Sequence, residues 1–316
     1  MKNFYLFVAA ALILLMLTLP LISLTAVSEN KNSAEAPKPI EVTDTITVFH
    51  NDTGQTEKIP MRDYLFGVVA AEISPQSETE TIKAQTVAAY TYALYKTEKN
   101  KKEQYDITTD SSVDQAYVSK EKAKEKWGDK ADEYEARLNE CMSAVEGIYI
   151  SYDNKPIFAA YHAISSGKTE SCESVWGNKL PYLVETQSLG DLLSPDYLSE
   201  KKVTADEFKT AFSSLCVLPE TAAKYIGEIT RTASGGVKTI AVGDTVLSGS
   251  EFRKALGLRS ANFDVKFSDN CFTFTVRGYG HGVGLSQCGA EYMAKQGSTF
   301  SEILAWYYPG CSLKTK

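Results

Sequence analysis

Several features are absent from this chain, and each absence removes a class of function. No Lys/Arg cluster is interleaved with aromatic residues, and 33 basic against 40 acidic residues leave a net charge of −7. Nucleic acid is therefore not an expected partner. No Cys-x-x-Cys pair occurs among the six cysteines, so no spacing resolves their pairing. Outside the cytoplasm they read equally as a disulfide framework or as buried thiols with one bridge. No internal repeat is visible. The glycine-rich stretch RGYGHGVGLSQCGA, residues 277–290, fits neither the dinucleotide fingerprint nor the phosphate loop, and no cofactor is expected.

What is present bounds the architecture. With 316 residues and 43% hydrophobic content, the chain can bury a sizeable core in one or two domains. Lys2 precedes an uncharged stretch from Phe4 to Val27, long enough to cross a bilayer. Leu24-Thr25-Ala26 only partly matches a signal-peptide cleavage site. Residues 1–27 are thus expected to form an uncleaved single-pass anchor in the cell membrane, with a signal peptide as the alternative and everything after it outside the cytoplasm. Residues 28–44, polar and proline-containing, read as a linker, and residues 45–316 as the globular domain.

Within that domain the periodicity changes along the chain. ITVFHNDTGQTEKIPM alternates like a hairpin, and His50 in it is assigned no role. MRDYLFGVVAAEIS carries apolar residues at helical spacing and is closed by Pro75. ETETIKAQTVAAYTYALYKTEKN predicts a second amphipathic helix with an acidic first turn and a basic last turn. Residues 121–145 read as one or two helices with solvated charged faces. GIYISYDNKPIFAAYHAIS turns to period-two alternation with a hairpin at Asp153-Asn154. A short helix is expected near 204–215, and residues 228–276 return to strands. Early helices and late strands define an α+β class.

Glu72 is the sharpest chemical candidate. A carboxylate ending an apolar run reads either as a solvated helix end or as a partly desolvated acid whose raised pKa suits proton delivery. Lys83, Gln85 and Tyr90 lie on the next helix, where Lys83 and Tyr90 share a face. They read as sugar-gripping groups or as a snorkelling lysine over core aromatics. Tyr161, His162, Tyr182 and Asp191, with Trp176, add polar and aromatic groups on loops. His281, Ser286 and Gln287 accompany the glycines of the 277–290 loop, as the wall of a polar site or as a capped tight turn.

Taken together, YLFGVVAAEIS, IKAQTVAAYTYAL, IFAAYHAISSGKTE, VWGNKLPYL, LSGSEFRKALGLRSANF and GYGHGVGLSQCGAEYMAKQGSTFSEILAWYYPG resemble the stage II sporulation protein D (SpoIID) family, in one collinear order from about Thr45 to Pro309. The resemblance implies a membrane-anchored lytic transglycosylase. Such an enzyme cuts peptidoglycan glycan strands between N-acetylmuramic acid and N-acetylglucosamine, leaving 1,6-anhydro ends, in septal remodelling and engulfment during sporulation. By position it places the catalytic acid on Glu72 and activity-linked residues on Lys83, Tyr182 and Asp191, with the glycine loop in the wall of a glycan groove.

Two departures stand out, since relatives usually have Arg at the position of Tyr90 and Trp at that of Cys288. Some relatives also bind zinc through a Cys and a His-Cys pair, at positions that here are Thr108, Val113 and Asp114, so no metal is expected there. His162 with Cys172 supplies only two ligand types without an evident third. The resemblance further implies peptidoglycan glycan strands as partner, together with a sporulation amidase and membrane scaffold proteins of the engulfment complex. It leaves two other readings open: a non-catalytic enhancer of a cell-wall amidase, and a structural bridge in a membrane complex.

Overall fold

The computed structural model describes residues 36–316; the expected anchor lies outside the described residues. Among the described residues no helix is long and apolar enough to cross a membrane. Residues 37–316 form one compact unit of mixed helices and small sheets, in line with the α+β expectation. The helices are α1 (Met61–Glu72), α2 (Thr79–Lys99), α3 (Lys120–Trp127), α4 (Ala131–Ser143), α5 (Cys172–Trp176), α6 (Ala205–Phe212), α7 (Gly249–Leu256), α8 (Gln287–Lys295) and α9 (Phe300–Tyr307).

The first hairpin pairs Thr45–His50 with Gln55–Pro60 in antiparallel register, and Ile107–Thr108 adds to its other edge in parallel. The chain is tied down slightly before that hairpin: Ile40 N–H donates to Glu146 O at 2.9 Å, and Val42 N–H to the Glu146 carboxylate at 3.2 Å. The packed domain thus begins inside the segment read as linker. The Asp153-Asn154 hairpin forms as expected, both residues adopting positive φ, as a two-residue type I′ turn requires. LSGSEFRKALG, around which strands were expected, contributes α7 between the strands Thr245–Ser248 and Phe263–Ser268. Ser248 and Glu251 close a reciprocal capping box at its start, which satisfies two otherwise orphan backbone donors.

Three cores hold the unit together. The first joins the hairpin, α1, α4 and one side of α2; the second joins the opposite side of α2 to the 148–160 strands, the glycine loop, α8 and α9. The third fills residues 198–277 and is dominated by Phe208, Phe212, Phe252, Phe263, Phe272 and Phe274. A helix shared by two cores cannot keep a solvent stripe. From Ile82 to Leu94 every residue of α2 except Lys83 is buried, so the helix is enclosed over most of its length where amphipathicity was expected. Its alanines allow close approach, and its threonines dispose of their hydroxyls internally. Thr86 donates to Ile82 O at 2.8 Å and Thr91 to Val87 O at 2.6 Å, the back-bonding that permits Thr inside a helix.

Thr91 also accepts from Ile150 N–H at 2.9 Å, so one hydroxyl fastens the 148–152 strand to α2. Thr91→Val keeps the shape and strands that buried N–H. The expected cost is about 1–3 kcal/mol, read as a lower urea midpoint at unchanged m-value, whereas Thr91→Ser is expected to lose less.

Candidate active site

Glu72 is the last residue of α1, which stops because Ile73 turns extended and Pro75 follows. The side chain is half-buried and meets groups from three distant segments. Ala116 N–H donates to its Oε1 at 2.9 Å, and Gln287 Nε2 donates to its Oε2 at 3.3 Å. Gln287 Nε2 also donates to Gln85 Oε1 at 3.3 Å. Tyr161 Oη stands 3.4 Å from Glu72 Oε1 but 2.8 Å from Gln115 Oε1, so its one proton goes to Gln115. Gln115 in turn donates to Tyr64 Oη at 3.1 Å. Neutral amides and phenols thus surround a single carboxyl, and no second carboxylate is bonded into this network among the described residues.

That setting shifts the balance of Glu72 toward its protonated form. Burial raises the pKa of Glu72 above the usual carboxylate range, outweighing the hydrogen bonds from Ala116 and Gln287 that favour the charged form. The open question at the helix end is resolved in favour of the desolvated acid. Tyr161 is held neutral, its pKa pushed up by burial first and by Glu72 second.

Gln115 and Ala116 went unrecognised in the sequence, because they sit in a polar loop that no periodicity marks. The loop is fastened by Asp114, whose side chain is 1% exposed. Its Oδ1 pairs with Lys96 Nζ at 2.8 Å and accepts from Tyr92 Oη at 2.7 Å, while Oδ2 accepts Thr108 N–H at 3.0 Å. The zinc set of some relatives does not fit here. Thr108 offers no thiolate, Val113 is 62% exposed, and both oxygens of Asp114 are engaged. The buried ion pair ties the loop instead. Cys172 and His162 gain no further ligands, since among the described residues no group of three or more His, Cys, Asp or Glu is placed to hold a metal. All six cysteines are free thiols.

Gln287 reaches Glu72 because α8 starts at the right place. Ser286 caps α8 by accepting from Gly289 N–H at 3.2 Å, and donates to Asp191 Oδ1 at 2.7 Å. Asp191 is fully buried and its Oδ2 accepts Ser165 N–H at 2.9 Å. Asp191 and Ser286 therefore act through Gln287, as anchors of the helix start. The glycine loop threads against the Tyr161–His162 strand, and a Cβ at Gly284 would lie 1.9 Å from Ala160 O. Adjacent strand residues point to opposite faces. Tyr161 accordingly meets Glu72, and His162 turns to the loop, its ring 5.7 Å from that of His281.

His281 is consequently a wall of the other face, its ring tilted against that of Trp176 at 4.9 Å. Burial, followed by the neighbouring His162, pushes its pKa down to about 3. The remaining expected site residues are not brought to Glu72. Lys83 pairs with Glu80 at 2.7 Å, two residues from Gln85 and so on the other side of α2. Tyr90 is 2% exposed within the first core, which makes it a packing ring and corrects its reading as a substrate contact. Tyr182, 7% exposed, accepts Phe158 N–H at 3.3 Å and packs on Tyr152, so it braces the second core.

The comparisons with known proteins agree with this geometry's family. The SpoIID family, described as "Stage II sporulation protein", matches residues 50–152. The chain is 33% identical to "Stage II sporulation protein D" of Bacillus amyloliquefaciens, over 85% of this chain and 78% of that protein, and equally so to its namesake in Bacillus subtilis (strain 168). It is 27% identical to the "Amidase enhancer" of B. subtilis, over 79% of this chain and 40% of that protein. The chain belongs to the SpoIID family. Membership supports a role in the sporulation cell wall.

The Lys96–Asp114 pair gives a direct test of how the loop is held. Lys96→Met leaves a buried carboxylate without its cation, a change expected to cost about 3–5 kcal/mol in chemical denaturation. It should also loosen the 107–117 loop, seen as faster amide exchange at Ala116. Val113→Ala, at an exposed position of the same loop, should do neither.

Proposed function

We propose that the protein is a lytic transglycosylase that cleaves peptidoglycan glycan strands between N-acetylmuramic acid and N-acetylglucosamine, with Glu72 as its one acid and base. The observation that carries this reading is a lone carboxyl, protonated more readily than usual, in a wall of neutral hydrogen-bonding groups. Glu72 in its acid form protonates the glycosidic oxygen, and the C–O bond to the leaving N-acetylglucosamine breaks. The resulting carboxylate then takes the proton of the muramyl 6-hydroxyl as that oxygen bonds to C1, closing the 1,6-anhydro ring and restoring the acid. One carboxyl suffices because the nucleophile belongs to the substrate. Ala116 N–H and Gln287 hold the carboxylate between the two proton transfers, the buried Gln85 and Gln115 hold Gln287 and Tyr161 in place, and the partly buried Tyr161 offers a partner for a sugar hydroxyl or acetamido group.

The proposal includes the setting. Residues 1–27 would anchor the chain in the cell membrane and place the domain outside the cytoplasm, where a sporulation amidase and scaffold proteins of the engulfment complex are its expected partners. The similarity to an amidase enhancer favours a second reading, in which the domain binds glycan and stimulates an amidase without cutting.

Incubation with peptide-stripped glycan strands and mass spectrometry of the products separates the two readings. Wild type should release anhydro ends. Glu72→Gln should bind strands but lose about 10²- to 10⁴-fold in rate. Reducing muramic acid ends would indicate hydrolysis, and strand binding without cleavage would favour the enhancer.

The pH profile tests the acid directly. Because the acid form starts the reaction and its folded pKa is raised, cleavage should persist above the ordinary carboxylate range and fall as pH rises through the raised value. A rate that drops instead with acidification through the ordinary range would assign Glu72 a different role.

A further inference from the structure

The face of the Tyr161–His162 strand opposite Glu72 opens into a cleft where the glycine loop meets the unit of residues 198–277. It is an open cleft with a cavity volume of about 40 Å³, and its walls include Lys168, Glu170, Ser250, Arg253, Asn262 and His281. None of Glu72, Gln85, Gln115, Tyr161 or Gln287 lines it. Seams between packed units are frequent ligand sites.

An acid and a cation stand in this cleft without pairing. Glu170 is 8% exposed, and burial raises its pKa above the usual carboxylate range against the hydrogen bonds of Thr232 and Gly236; its Oε1 accepts from Thr232 at 2.9 Å, and among the described residues its buried Oε2 has no hydrogen-bond partner. A buried acceptor left without a donor is costly, which makes it a mark of an absent partner. Arg253 spends only Nε, donated to Leu258 O at 3.1 Å. No carboxylate pairs with its guanidinium among the described residues, whereas the nearby Arg231 and Arg277 are both bound to Asp264. Burial pulls the Arg253 pKa below its usual value, as for a cation that has lost water and gained no counter-ion. Lys168 adds a second cation to the wall. The surplus of positive charge favours an anionic group, and the planar fork of Arg253 matches a carboxylate.

We propose that this cleft is a second binding site, separate from Glu72, for an amino-acid group bearing both a carboxylate and an ammonium. Arg253 takes the carboxylate and Glu170 takes the ammonium, with Asn262 and the serines of the wall completing the contacts. Such a group occurs both as a free amino acid and at the end of a short peptide. The inference does not depend on the assignment of Glu72.

Titration calorimetry on the full-length protein tests it with four probes: lysine, alanyl-lysine, lysine amide and diacetyl-lysine. Lysine or alanyl-lysine should bind, the tighter of the two identifying a free or a peptide-borne ligand. The amide lacks the carboxylate and the diacetyl form lacks the ammonium, and each should bind about 10- to 100-fold more weakly, the worth of one charge-assisted hydrogen bond. Arg253→Gln should weaken binding similarly. Ser250→Trp, which fills the mouth without touching Arg253 Nε, should do the same and guards against a folding defect in the first variant. Binding of neither lysine nor alanyl-lysine, equal binding of the blocked forms, or unchanged binding in both variants would overturn the proposal. The readout is binding alone, so its failure leaves the reading of Glu72 untouched.

Discussion

Two of the three cores of this domain are arranged around a helix that is almost closed to solvent through its middle. From Ile82 to Leu94, α2 serves two cores at once, and a helix in that position must be narrow and must settle every polar group it carries. Ala84, Ala88, Ala89 and Ala93 supply the narrowness, and Thr86 and Thr91 return their hydroxyls to the helix backbone. The enclosed helix then fixes distances elsewhere. Gln85 looks from one side toward Gln287 and Glu72, and Tyr92 and Lys96 look toward Asp114. Both halves of the candidate site are therefore indexed to one rigid rod.

The site itself is built by delivery. Glu72 comes from the end of α1, Gln115 and Ala116 from a loop tied by a buried ion pair, Tyr161 from a two-residue strand, and Gln287 from the first turn of α8. Each delivering segment has its own fastening: Asp114 with Lys96 for the loop, Asp191 with Ser286 for α8, and the glycine loop for the strand. The two buried aspartates thus act at one remove. They spend their charge on backbone N–H groups, a lysine and hydroxyls, while the carboxyl at the centre is left among neutral neighbours. That division sets Asp191 and Asp114, which act as anchors, apart from Glu72, whose proposed role is that of an acid.

Much of this was legible along the chain, and the parts that were not share a cause. The apolar spacing of α1, its stop at Pro75 and the position of Glu72 at its end follow from local periodicity, as do both hairpins and the α+β class. The family was legible from motifs in order. Local rules also misled in places: α2 read as amphipathic because its alanines and threonines count as weakly apolar or polar, yet burial depends on what packs around them. Tyr90 and Lys83 read as a gripping face for the same reason. The capping box of α7 was a local signal that lay unread in a stretch expected to return to strands.

Sequence by itself determined the identity and order of the chemical groups: one carboxylate closing an apolar helix, amides and phenols in separate motifs, and glycines wherever the backbone must adopt positive φ beside another strand. It determined these because propensity, capping and turn geometry act over a few residues. Only the tertiary structure decided which groups share a space. The contact from Ala116 to Glu72 spans 44 residues and that from Gln287 spans 215, and no local preference encodes such separations. The same holds for the raised pKa of Glu72, which is a property of burial, and for the unpaired side chains of Glu170 and Arg253, which become visible only when the described residues are placed around them.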